Sequence, residues 1–267
     1  MENSSCSLPS DEVLAIIVPI AVYWVYSGFH MMLGSLDRYR LHPRKDEGLR
    51  NLVSKRSVAV TVLSQQLLQA AVGIVLFKLT GGGDQKEAGD GAHVQTASWV
   101  AVAGQFFVGM FVVDSWMYFW HRYMHLNRFL YKHVHSWHHR LVVPYSFGSQ
   151  YNHPVEGFLM DTLGGALAFL VSGMTPRTSI FFFSFSTVKG INDHCGLWMP
   201  LNPFNVFFWN NTAYHDVHHQ LYGSKYNFSQ PFFITWDKIL GTHMPFTVEK
   251  RESGGLEARP IKPKRAN

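Results

Sequence analysis

Eleven of the chain's fifteen histidines lie between His121 and His219, most of them in three short strings. The strings are His121-Arg-Tyr-Met-His125, His135-Ser-Trp-His138-His139 and His215-Asp-Val-His218-His219. On a helix, spacings of three and four put side chains on one face, so each string can aim two or three imidazoles at one point. Neutral imidazole suits zinc, iron, copper and nickel, and a ligating ring needs an acceptor on its other nitrogen to fix its tautomer. A lone HxxxH is more often packing or surface; two HxxHH strings beside one mark a metal site. Adding His153 and His194 to the eight histidines of the strings gives ten, which suits two ions with about five nitrogens each. Asp114, two helical turns before His121, and Asp216, inside the third string, are carboxylates placed to accept from such rings. His133 is offset from His135 onto another face and reads as a supporting or surface residue. Two cysteines, Cys6 and Cys195, exclude a disulfide framework and a thiolate-rich zinc or iron–sulfur site.

The elements that must carry these histidines are apolar. Charged residues make up 15% of the 267, against about 25% in an ordinary soluble domain. The mean hydropathy of -0.02 averages greasy blocks with polar ones. Val13–Met32, Ser57–Leu79 and Trp99–Trp120 are each long enough to cross about 30 Å of hydrocarbon. A fourth region, Val155–Ile191, is broken at Gly173-Met-Thr-Pro176-Arg177 and predicts a helical hairpin that dips into or crosses the bilayer. The hairpin returns His153 and His194 to one side. Phe181, Phe182, Phe183 and Phe185 on its second arm either line an apolar slot or face lipid.

Charge orients the module. Leu36–Arg56 holds seven lysines and arginines, whereas Gly81–Ser98 holds only Lys86. The positive-inside rule then puts the first loop, and after a third crossing His121, in the cytosol. Glu2, Asp11 and Glu12 precede the first block without a basic residue, so it reads as a retained span and not a cleaved signal peptide. Basic residues form no run interleaved with aromatics, which argues against nucleic-acid binding. The expected fold is all-α: a multi-pass membrane bundle under a cytosolic, histidine-rich metal-binding cap. Residues 1–98 form N-terminal transmembrane helices and loops, 99–242 the histidine-bearing domain with its hairpin, and 243–267 a flexible cytosolic tail.

The string Asp114-Ser-Trp-Met-Tyr118-Phe-Trp-His121-Arg122-Tyr-Met-His125 resembles the D-x3-Y-x2-H-R-x2-H opening of the membrane fatty acid hydroxylase superfamily. The three strings are similar to its histidine boxes in order and spacing. Leu130–Tyr145, Tyr151–Asp161, Asn192–Gly196 and Asn227–Asp237 closely resemble the subgroup that hydroxylates sphingoid bases at C4, its plant members above all. The resemblance implies a non-haem di-iron oxygenase in which His121, His125, His135, His138, His139, His153, His194, His215, His218 and His219 hold two irons. It implies O2-dependent hydroxylation of sphinganine, or of dihydroceramide, to a phytosphingosine-type trihydroxy base. Electrons would come from cytochrome b5 and its NADH-dependent reductase, since the chain has no GxGxxG of its own. Glu156, Asp161 and Asp193 either meet the substrate ammonium or support a histidine. A related lipid oxidase (a sterol C5-desaturase or fatty-acyl 2-hydroxylase) shares the boxes, and a membrane zinc hydrolase is a third reading. Lys264-Arg265-Ala266-Asn267 resembles a dibasic retrieval signal of the endoplasmic reticulum. Assembly with ceramide synthase or with further copies of the chain stays open.

Overall fold

The computed structural model describes residues 9–80 and 98–261. In chain order the first helices are α1 (Asp11–Leu33), α2 (Arg44–Arg50), α3 (Lys55–Leu79), α4 (Trp99–Leu126) and α5 (Arg128–His133). α6 (Pro154–Glu156) runs through a π-helical stretch, Gly157–Leu163, into α7 (Gly164–Ser172), and α8 (Pro176–His194) returns. α9 (Pro203–Phe207), α10 (Thr212–His219) and α11 (Thr235–Ile239) follow, then strands β1 (Phe246–Lys250) and β2 (Leu256–Pro260).

Among the described residues, four segments are long and apolar enough to cross a membrane: α1, α3, α4 and Pro154–Ser172. Leu67, Val75, Phe107 and Val171 stand exposed on them, which water would penalise and hydrocarbon does not. Together they make a multi-pass membrane bundle. The predicted hairpin is present. Gly173 turns it in the left-handed region at φ 62, and Pro176 opens α8 while the Thr175 side chain accepts from the Thr178 N–H at 3.1 Å. α8 packs along α1, and α7 along α4. Phe77, Val113, Phe169, Phe182 and Phe232 fill the space between them.

The cap is built from short elements tied by polar contacts. The loop before α3 docks onto it: Asn51 both donates to the Val143 carbonyl (2.9 Å) and accepts from the Val143 N–H (2.8 Å). Arg50 donates to Gln220 at 2.8 Å, and the His42 ring meets Asp216 at 2.7 Å.

The segment after Gly241 differs from expectation. Instead of a flexible tail, β1 and β2 pair antiparallel from Phe246↔Pro260 to Lys250↔Leu256. Their inward residues, including the buried Ala258, cover Val217 of α10 and Leu41. Alternating Phe246, Val248, Leu256 and Ala258 around a glycine turn supply the period-two face a hairpin needs. The Lys264-Arg265 signal lies outside the described residues.

Candidate metal centre

Nine of the ten expected histidines converge into two adjoining groups. His121, His125, His135, His139 and His218 form the first, and His138, His194, His215 and His219 the second, with ligand atoms inside each group within 4.8 Å of one another. Neither HxxHH string stays whole. The i, i+4 pair His135 and His139 enters the first group while His138 enters the second; in α10 the pair His215 and His219 enters the second and His218 the first. Residues three and four apart diverge around a helix axis by tens of degrees, so one string can feed two neighbouring points. The groups touch through His139 and His219, whose ring centroids are 4.9 Å apart.

Backbone carbonyls aim four of the nine rings. His121 Nδ1 donates to Phe228 O (2.8 Å), His138 Nδ1 to Tyr151 O (3.0 Å), His194 Nδ1 to Gly190 O (2.8 Å) and His218 Nδ1 to Tyr226 O (2.7 Å). A carbonyl only accepts, so in each neutral ring the proton sits on Nδ1 and the Nε2 lone pair points into the cage. His135 does the same toward Glu156, at 2.7 Å. Its Nε2 lies 2.8 Å from His125 Nε2 and 3.1 Å from His139 Nε2, and His215 and His219 meet Nε2 to Nε2 at 2.9 Å. His121 Nε2 and His218 Nε2 are buried without a hydrogen-bond partner. Burial keeps the rings neutral, pushing His135 and His218 from the ordinary 6.5 down to about 3. His139, His215 and His219 are driven well below it, by burial first and by neighbouring imidazoles second.

The Nε2 atoms of several rings thus meet across 2.8–3.1 Å, where a cation among them would take several lone pairs at once. Two ligands at right angles on an ion with bonds of about 2.1 Å lie about 3.0 Å apart, so the spacing fits metal coordination. All-imidazole donors with no thiolate suit iron, zinc, copper or nickel.

Three expected residues fall elsewhere. His153 joins neither group; it sits at the start of α6, where its Nδ1 accepts from the Val155 N–H at 3.2 Å and its ring packs on Trp137. Asp114 supports no histidine: it accepts from the Phe232 and Phe233 N–H groups at 2.9 and 2.5 Å, fixing that segment to α4. Asp216 points away from the cage, to His42. The supporting carboxylate is instead Glu156, whose role the sequence left open. His133 is exposed, beside Phe129.

Lys189 was not anticipated. It is fully buried and donates to Asp193 at 2.5 and 2.7 Å, to Asn210 O at 3.0 Å and to Pro231 O at 2.6 Å. It thereby locks α8, and His194 at its end, to the segments flanking α10. The i, i+4 spacing of Lys189 and Asp193 was the signal that could have found it.

A cavity of about 270 Å³ opens from His138 and His194 and runs between α1, α3, α7 and α8. Its far end is apolar, with Ile16, Phe77 and Phe169; Gln66, Asn152, Glu156, Asp161 and Asp193 give polarity nearer the histidines. Of the four candidate phenylalanines only Phe183 lines it. Phe181 faces outward, Phe182 is core, and Phe185 stacks on Phe232.

The fatty acid hydroxylase family model matches residues 106–242. Sphinganine C4-monooxygenase 2 of Arabidopsis thaliana is 63% identical over 253 residues, covering 95% of this chain and 96% of its own. A very-long-chain aldehyde decarbonylase of Oryza sativa subsp. japonica is 56% identical over 256 residues, with 95% and 96% covered. The sphingolipid C4-hydroxylase of Schizosaccharomyces pombe is 40% identical, with 87% and 88% covered. No solved structure matches the chain.

Proposed function

This chain belongs to the fatty acid hydroxylase family, and on that premise we propose that it is a membrane monooxygenase that hydroxylates C4 of a sphingoid base. The observation that carries the reading is the cavity: His138 and His194 form the polar end of an apolar slot between membrane helices. A long-chain base has that shape, with a polar head and one long alkyl tail.

The first histidine group would hold one iron and the second another. When bound, such a pair supplies O2-dependent oxidation of an unactivated C–H bond, chemistry that redox-inert zinc does not offer. The chain's own residues do the rest. Backbone carbonyls and Glu156 hold five of the nine imidazoles, those of His121, His135, His138, His194 and His218, in the tautomer that presents the Nε2 lone pair. The slot seats the tail, and its apolar walls limit water around the reacting carbon. Electrons come from outside the chain, with cytochrome b5 and its NADH-dependent reductase as donor. The basic loop docked on the cap supports a cytosolic cage on the endoplasmic reticulum membrane.

The Oryza relative supports a second reading, consumption of a very-long-chain aldehyde. A profile of long-chain bases and aldehydes in cells with and without the full chain separates the two. Trihydroxy bases should appear with the wild type, and His138→Ala should lower them at least about hundredfold while the protein stays in membranes. Aldehyde loss without trihydroxy bases would establish the second reading and reject the first.

A further inference from the structure

Three acids line the polar end of the cavity, and their charges are met differently. Both oxygens of Asp193 take Lys189, at 2.5 and 2.7 Å. One oxygen of Glu156 accepts from His135, but its Oε2 is buried with no partner, on a residue only 2% exposed. Asp161 accepts from Asn152 Nδ2 at 3.1 Å, and among the described residues no lysine or arginine pairs with it or with Glu156. Two carboxylates therefore share one cavity wall with no cation of the chain's own.

The backbone is built to put them there. Glu156 and Asp161 are five residues apart, which in an α-helix leaves them about 140° apart around the axis. The π-helical stretch Gly157–Leu163 bonds i to i+5, which widens the turn and brings residues five apart toward one face. Both then face the same cavity.

We propose that Asp161, together with the free oxygen of Glu156, binds the ammonium group of the substrate, and that the enzyme therefore takes the free long-chain amine in preference to its N-acylated form. The proposal rests on the C4-hydroxylase reading above. An amide nitrogen carries no charge and leaves both acids uncompensated. In a sphingoid base three bonds of about 1.5 Å separate the amine from C4, so C4 lies within about 4 Å of it. Glu156 is hydrogen-bonded to His135 of the first histidine group, so an amine seated on these acids holds C4 next to the cage. The tail then follows α3 from Gln66 to Phe77, roughly 16 Å along the helix.

The test uses the full-length, metal-loaded enzyme in membranes with three compounds: sphinganine, N-acylated sphinganine, and the long-chain 1,3-diol lacking the amine. Wild-type KM for sphinganine should be at least about tenfold below that for either neutral compound. Asp161→Asn should raise KM for sphinganine about tenfold with kcat little changed, and should leave KM for the diol where it was. Asp161→Glu should recover much of the loss. Equal wild-type KM values for amine and diol, or an unchanged sphinganine KM in Asp161→Asn, would overturn the assignment. If Asp161→Asn does not accumulate, the wild-type comparison alone decides. A wild type that hydroxylates none of the three refutes the C4-hydroxylase reading itself, a result distinct from indifferent use of all three.

Discussion

His135 donates through Nδ1 to Glu156 and turns Nε2 toward His125 and His139. The types and spacing of the histidines announced a metal site, because few other reasons place so many imidazoles at three- and four-residue intervals. The partition between groups was not readable, since it depends on where the helix axes sit and not on the strings. The acceptors were hidden for a related reason. Four rings are held by backbone carbonyls, which every residue has, so no side-chain pattern marks them. His153 falls outside both groups because it caps the start of α6 and packs on Trp137, which proximity in sequence to the hairpin does not reveal. The neutral cage has a consequence for pH. His135 and His218 titrate near 6.5 in an unfolded chain but at about 3 when folded. As pH falls below 6.5 the unfolded chain takes up protons that the folded one refuses, so stability falls through that window. Each such ring costs about 1.4 kcal/mol per pH unit once pH is well below 6.5. Denaturant unfolding of metal-free protein in detergent should show a midpoint that drops steadily from pH 7 to pH 5, and bound metal should be released over the same range. A midpoint flat across that interval would contradict the buried, neutral cage.

α10 delivers three histidines to two groups within eight residues, so its position tolerates little movement. Asn211 caps its start at 3.1 Å, and the turn after its end passes so close that a Cβ on Gly223 would lie 1.8 Å from the Val217 carbonyl oxygen. Gly223→Ala must therefore push the end of α10 and its His218–His219 pair outward. We expect a loss of about 1–3 kcal/mol in stability, read from the thermal midpoint, together with less metal per chain. Unchanged midpoint and metal content would show that the turn can yield without moving the histidines. The helical hairpin was readable from Gly173 and Pro176, whose backbone preferences act locally. The π-helical stretch was not, because distant groups hold it: Trp116 Nε1 takes the Leu159 carbonyl at 2.8 Å, and Gln65 presses against Gly157. The β1–β2 hairpin was obscured by charge. Its outward residues are Thr247, Glu249, Glu257 and Arg259, so composition suggested a solvated tail although Phe246, Val248, Leu256 and Ala258 alternate with them.

The bundle and the cap together settle which surfaces lie on one side of the membrane. The basic loop between α1 and α3 is fastened to the cage-bearing cap through Asn51, Arg50 and His42, so loop and cage must share a side. That relation was inferable from sequence only through counting crossings; here it follows from contact. On the proposed orientation, the positive-inside rule would put a loop so rich in arginine and lysine in the cytosol, and the cage would go with it. In sealed vesicles with their cytosolic face outward, an impermeant maleimide should label Leu52→Cys, which sits on that loop with 75% of its surface exposed. Asp90→Cys lies outside the described residues, between α3 and α4, and should label only after detergent. Native Cys195 is buried and contributes little background. The reverse pattern would put the cage on the far side of the membrane. A cytosolic electron donor could not then reach it, so one measurement tests the orientation and the proposed donor together.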